Sequence, residues 1–420
     1  LGAVGCETFA VTGREEVLML SHRIPYPPDK GDKIRSWRIL KHLSERYAVH
    51  LGCFIDTPED RQWCDTVKEV CATTKFVTLR PNMAKARSLS AIATGAPQSL
   101  AYYSSHDMRH YVTKVRERAL AFECVFSTPK AQYIAKPENG RTRIVDLCDA
   151  DSAKWAQYAD ETPGLKAMLF RREAATLMRY ERDVVEWADA AIAISRAEAA
   201  VLDGGSGKAV WFGNGVDTDF FDPGLPFDSS APALSGADRP AEIVFIGAMD
   251  YKPNVDAAVW FAEKCWPQIR AAAPGAQFAI VGANPVHSVR ALQERDGVIV
   301  TGRVHDVRPF LADAKVAIAP LRIARGVQNK VLEAMAMALP VVASEGAIEG
   351  LDIDAGTDCI VARNADSFTD AVLTALRDEE KARALGAHAR RKVMRDYSWA
   401  GQLARFDGII RRARTRGANA

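Results

Sequence analysis

In the stretch RGVQNKVLEAMAMALPVVAS, Arg325 to Ser344, Lys330 and Glu333 stand one helical turn apart among apolar residues. The period predicts a helix beginning near Gln328, just after Gly326. Val327, Val331, Ala334, Met335 and Ala338 form one buried face. Lys330, Glu333 and Met337 fall on another. A helix N-terminus presents unpaired N–H groups and the positive end of its dipole, which favour a phosphate, and Lys330 adds a point charge beside it. Glu333, one turn on, can accept both hydroxyls of a ribose. The same spacing also fits a solvated Lys–Glu pair, worth about 0.3–0.5 kcal/mol.

A second chemistry-bearing stretch is DLCDADSAKW, Asp146 to Trp155, with its Asp-x-Asp. Such a pair could hold a divalent cation against a diphosphate. Equally, one or both aspartates could cap the next helix together with Ser152. His22 follows the first apolar strand and His106 lies in YYSSHDMRH. Either has the chemistry of a general base, and either could be structural. Trp155 and Tyr158, with Lys154, Arg171 and Arg172, read as an acceptor surface or as an ordinary helix face.

Alternating strands and helices must position these groups. From Val17 the chain reads as apolar strand, turn and helix, repeated through VHLGCFID, KFVTLRP, CVFSTP, RIVDLCDADS, a long helix near Leu165–Trp187 and ADAAIAIS. The segment Asp217–Pro240 is rich in Pro, Gly, Ser and Ala and has no period. After it the alternation restarts with EIVFIGA, QFAIVGA, VIVTGR, VAIAPL and PVVAS. The expected fold class is therefore α/β, two doubly wound Rossmann-like domains facing across a cleft. Expected boundaries are a disordered extension at 1–16, an N-terminal domain at 17–216, a linker at 217–240 and a C-terminal domain at 241–395. A C-terminal helix at 396–420 is expected to pack back on the N-terminal domain.

Composition narrows the function classes. A formal net charge of +2 gives no ground for nucleic-acid binding. Eight cysteines without paired spacing predict reduced thiols in a cytoplasmic protein without a metal site. No apolar run has the length of a membrane span. No GxGxxG follows the first strand of either half, against a nicotinamide dehydrogenase.

The residues GVQNKVLEAMAMALPVVAS resemble the nucleotide-sugar signature of glycosyltransferase family 4. FGNGVDTDFFDP, VFIGAMDYKPN and VTGRVHDVRPFLADAKVAIAPL resemble three further segments of that family. With SHRIPYPPDKGDKIRSW and DLCDADSAKW included, the chain from Val17 onward is similar to the PEP-CTERM/exosortase-associated sugar transferases of exopolysaccharide-producing bacteria. The resemblance implies a GT-B fold, a nucleotide-diphosphate sugar as co-substrate, no cofactor or metal, and transfer with retention at the anomeric carbon. It implies a saccharide acceptor, lipid-linked, and contact with the inner face of the cytoplasmic membrane.

Carried over by resemblance, Glu333 holds the donor ribose, and Lys330 with the backbone around Gly326 and Asn329 meets the diphosphate. Gly302, Arg303 and Val304 line the nucleobase pocket. Gly247 and Lys252, in the first C-terminal turn, are expected to meet the donor. Gly31 and Asp32 lie beneath the sugar and leaving phosphate, with Gly31 allowing close backbone approach. Asp149 and His22 are the candidate catalytic residues. Two positions depart from the pattern. Arg325 stands where the family has a Glu that touches the donor sugar, and Ala248 follows Gly247 where an Arg is common. Arg325 is expected to neutralise diphosphate or to read a carboxylate on an acidic sugar. The rival readings are a nucleotide-sugar 2-epimerase of the same fold and a non-catalytic sugar-nucleotide-binding subunit.

Overall fold

The computed structural model describes residues 13–135, 140–226, 241–323 and 327–417, and these divide into two compact units. One comprises the chain to Phe212 together with Leu403 onward; the other is Gly213–Gln402. Residues 217–226 of the expected linker thus belong to the second unit, and 227–240 lie outside the described residues.

Among the described residues the first unit holds seven strands: β1 Glu16–Ser21, β2 Ala48–Ile55, β3 Thr73–Thr78, β4 Leu120–Phe126, β5 Arg143–Cys148, β6 Ala190–Ala193 and β7 Ala209–Trp211. They pair in parallel in the order β3-β2-β1-β4-β5-β6-β7. Short Val-, Leu- and Ile-rich runs buried on both faces, such as Val17–Leu20, are what a covered parallel sheet requires. One apolar cluster lies around Val17, Met19, Leu51 and Phe122, and another around Leu18, Leu20, Phe54 and Val125. The first cluster also takes Phe406, Ile409, Ile410 and Ala413 from the final helix, Trp399–Gly417.

The second unit holds β8 Ile243–Ile246, β9 Phe278–Val281, β10 Val298–Gly302, β11 Val316–Ala319, β12 Val341–Ser344 and β13 Ile360–Ala362. Their order is β10-β9-β8-β11-β12-β13 and the pairs are parallel. The doubly wound α/β expectation therefore holds in both units. In each sheet the order reverses beside the first strand, at β1/β4 and at β8/β11. Ligands of such sheets bind outside the carboxyl ends at that switch point.

Helix detail differs from the sequence reading. VDAAVWFAEKCWPQIR is two helices, Lys252–Lys264 and Trp266–Ala272, divided at Cys265 just before Pro267. Helices Pro81–Thr94 and His106–Arg116 were not anticipated. The first buries only Ala84 and Ala91, so its apolar period is faint.

Candidate functional site

At the switch point of the second sheet, β8 ends at Gly247 and helix Asn329–Ala336 begins after β11. Gln328 is its N-cap and makes no side-chain cap bond, so the expected start is observed. Val331, Ala334 and Met335 are buried, as the period predicts. Met337 departs from the expected Lys330–Glu333 face: the helix stops at Ala336, Ala338 takes φ +56, and Met337 turns into the core.

Lys330 is held from across the sheet. Its Nζ donates to Asn254 Oδ1, and Asn254 Nδ2 donates to Ala248 O at 2.9 Å. The amine lies 5.1 Å from the Phe245 ring centroid. Among the described residues no ion pair joins Lys330 to Glu333, so the solvated-pair reading does not hold. Burial lowers Lys330 to about 8, against the pull of Glu333, and raises Glu333 to about 7, against the pull of Lys330. Asn329 Oδ1 is buried without a hydrogen-bond partner. This corner holds a cation, a carboxyl and an open helix end.

Three glycines line the adjacent strand ends. Gly247 N–H donates to Val281 O at 3.0 Å, and Gly282 N–H donates to Gly302 O at 3.2 Å. A Cβ on Gly282 would lie 1.7 Å from Gly247 O, and one on Gly247 2.7 Å from Asn254 Nδ2. Gly302 has φ +70, a left-handed conformation at the end of β10. Beyond it Arg303 is exposed and Val304 packs partly against the core. Lys252 is exposed at the first position of its helix. Arg325 and Gly326 lie outside the described residues.

In the first unit, His22 follows β1 and its Nε2 lies 3.0 Å from Asp32 Oδ2. Arg23 lies 3.2 Å from Asp32 and 3.0 Å from Asp56. Burial alone would raise Asp32, yet the His22 hydrogen bond and the His22 and Arg23 charges take it well below the carboxylate range. Burial lowers His22 in spite of Asp32. With Nε2 committed to Asp32 and Nδ1 buried without a partner, His22 orients Asp32 in this arrangement. Gly31 opens helix Gly31–Ser44, and an added Cβ there would meet no protein atom within 4 Å. A cavity of about 210 Å³ is lined by Arg23, Lys30, Lys33, Asp56, Asp60 and Trp63 among others. His106 is exposed at the start of its helix.

Asp149 follows β5 and stays open to solvent on one side; desolvation by the protein packed around the other, with the Asp146 charge, outweighs Lys154 and Arg35 and raises its pKa. Asp146 is buried and accepts from Arg35 Nε at 2.8 Å, while the Arg35 guanidinium lies 3.8 Å over Phe212. The capping alternative for Asp-x-Asp fails. The N-cap of helix Asp151–Glu161 is Ala150, whose N–H donates to Glu198 at 2.8 Å. Ser152 N–H and Oγ–H both donate to Glu181, the former at 3.2 Å. Burial raises Asp151 to about 6 and Glu181 to about 7. Among the described residues no group of three or more His, Cys, Asp or Glu is arranged to hold a metal. Trp155 and Tyr158 meet edge to face, and both rings lie tilted against Phe170.

Sequence reasoning missed Asn254, which bonds Lys330 from 76 positions away, and Gly282. It also missed Arg35 as the partner of Asp146. The strand-end position of Gly282 in QFAIVGA was visible; the side-chain pairings carry no local signal.

Residues 240–378 match the family model described as glycosyl transferases group 1. The chain is 31% identical over 246 residues to alpha-maltose-1-phosphate synthase of Mycolicibacterium smegmatis, covering 52% of this chain and 62% of that protein. It is 27% identical over 211 residues to the GDP-mannose-dependent monoacylated alpha-(1-6)-phosphatidylinositol monomannoside mannosyltransferase of Corynebacterium glutamicum, covering 47% and 54%. The chain thus spans little more than half the length of these curated relatives. Sucrose-phosphate synthase from Thermosynechococcus elongatus superposes with TM-score 0.66 at 16% identity, over 95% of this chain and 98% of that one. Anabaena HepE in complex with UDP and glucose superposes with TM-score 0.63 at 13% identity, over 94% and 99%. These likenesses show the GT-B fold and support a group 1 glycosyltransferase.

Proposed function

We propose that this two-unit GT-B chain, whose second unit matches the group 1 glycosyl transferases, moves a sugar from a nucleotide-diphosphate donor to a hydroxyl of a bacterial exopolysaccharide intermediate. The arrangement of Lys330, Asn254 and the Gly247 turn within the matched segment carries the reading. A half-buried amine beside an open helix N-terminus suits a diphosphate, and Glu333 one turn on suits the ribose hydroxyls. Gly302, where an added Cβ would have nothing within 4 Å, leaves backbone open to a ligand at the strand end. HepE, of the same fold, holds UDP and glucose in its complex, which supports a donor of this class.

The reaction in this reading retains anomeric configuration. The acceptor oxygen bonds to the anomeric carbon on the face from which the diphosphate oxygen leaves, and that oxygen takes the acceptor's proton. No metal or cofactor is required: Lys330, the helix N–H groups and Arg325 meet the charge that develops on the diphosphate. Asp149 serves the sugar or acceptor, and the His22–Asp32 pair holds the β1 turn. The reading extends to the exosortase-associated subgroup, a lipid-linked acceptor and peripheral membrane contact, all on the sequence resemblance. Arg325 sets the donor by neutralising diphosphate or reading a sugar carboxylate.

A calorimetric panel of UDP-, GDP-, ADP- and dTDP-sugars, uronic acids included, tests the reading, followed by transfer to lipid-extracted acceptor. Binding of one nucleotide series and transfer with retained configuration support it. Absence of binding across the panel sinks it, and an epimer formed without acceptor redirects it. Arg325→Glu retaining full activity with the same donor removes the Arg325 role.

A further inference from the structure

Two neighbouring helices of the first unit carry apolar side chains that stand clear of the protein. Leu165 is 83% exposed and Met168 63%, in the first turns of Leu165–Trp187. On Pro81–Thr94, Leu89 is 61% exposed and Ile92 39%. At helical spacing Lys85, Leu89 and Ile92 form one stripe, and Leu165, Met168 and Arg172 form another. Arg172 braces the two helices: its Nη2 donates to Ala91 O at 2.9 Å and Ile92 O at 3.2 Å. Buried Glu173 accepts from the N–H of Gln98 and Ser99 at 2.7 and 2.9 Å. The exposed apolar tips therefore lie on either side of a fixed junction.

The two segments that carry these tips hold charge of one sign. No Asp or Glu stands between Glu69 and Asp107, a span holding Lys75, Arg80, Lys85 and Arg87. None stands between Glu161 and Glu173, where Lys166, Arg171 and Arg172 lie. Glu173 is spent on backbone N–H groups, and exposed Asp160 and Glu161 end the adjoining helix.

We propose that this face rests on an anionic lipid bilayer, with Leu89, Ile92, Leu165 and Met168 entering the acyl boundary and Lys85, Lys166 and Arg171 at the headgroup phosphates. Protruding apolar tips interleaved with Lys and Arg suit that interface. The core of a protein–protein interface is instead depleted of Lys. No helix among the described residues is long and apolar enough to cross a membrane, so the contact is peripheral. The surface deepens the lipid-linked acceptor reading and rests on it for the purpose of docking, while the binding itself needs neither donor nor acceptor.

The test is sedimentation of the full chain with vesicles of phosphatidylcholine, alone or mixed with phosphatidylglycerol. Binding is expected only to the mixed vesicles and is expected to fall with added salt. Leu165→Ser with Met168→Ser is expected to cut it about tenfold or more. Val201→Ser, an exposed apolar residue elsewhere on the first unit, is expected to leave it unchanged. Circular dichroism melts confirm folding of each variant. No binding to mixed vesicles, equal binding to both compositions, or an unaffected double variant overturns the proposal. So does a dimer or bound protein that the double variant loses, since the face then belongs to a protein partner. Sugar-nucleotide binding measured on the same samples separates failure of the surface from failure of the transferase reading.

Discussion

Lys330 is bound to Asn254, on another helix, and not to Glu333 one turn away on its own. Asn254 is buried and also holds Ala248 O, so one amide joins the first turn of the unit to the later helix. Asn254→Leu removes both bonds and strands two polar groups. The expected result is a loss of about 2 kcal/mol in stability by denaturant unfolding. Donor affinity is expected to weaken about tenfold by calorimetry, because Lys330 loses its fixed position. An unchanged donor affinity in a folded variant removes Asn254 from this role.

Donor affinity is expected to be bell-shaped in pH. Glu333 binds ribose hydroxyls as the carboxylate, so affinity rises as pH climbs through about 7. Lys330 meets diphosphate as the ammonium, so affinity falls again above about 8. Glu333→Gln is expected to flatten the acid limb alone. Stability without donor runs the other way. The folded chain keeps a proton on Glu333 that the unfolded chain gives up from 4.5, so stability falls as pH rises from 4.5 through about 7. For Lys330 the unfolded chain holds the extra proton, so stability rises from about 8 towards 10.5. A flat binding profile across these limbs contradicts the assignment.

Asp149→Asn is expected to lower kcat about 100-fold while leaving the donor dissociation constant unchanged. His22→Asn is expected to cost less, since Nε2 serves Asp32 rather than an incoming hydroxyl. Steady-state kinetics with a direct binding measurement distinguish the two; equal losses would restore His22 as a base.

Gly282→Ala drives a methyl onto the carbonyl of Gly247, backbone that cannot step aside. A cost of about 3 kcal/mol is expected from overpacking, read as a lowered thermal midpoint. Gly302→Ala, with nothing within 4 Å of the new Cβ, pays only for its left-handed backbone, about 1 kcal/mol.

The strands were legible because a covered parallel sheet writes itself as short apolar runs, and the helix at Asn329 because its period and start are local. The pairings were not. Lys330–Asn254 and Arg35–Asp146 join residues 76 and 111 positions apart, and spacing reports only neighbours on one element. The caps of helix Asp151–Glu161 came from Glu181 and Glu198 on later helices, so the local Asp-x-Asp and Ser152 misled. Pro81–Thr94 escaped because its buried face is two alanines and its larger apolar residues point outward.

The first unit's apolar cluster is completed by Phe406, Ile409, Ile410 and Ala413, made after the whole of Gly213–Gln402. During synthesis, then, the half begun first cannot finish its core until the half begun second has emerged. Until that moment the patch that Phe406 covers beside Phe212 is open to solvent. Translation thus sets the order of maturation, and holding an incomplete first half against aggregation is a task for chaperones in the cell.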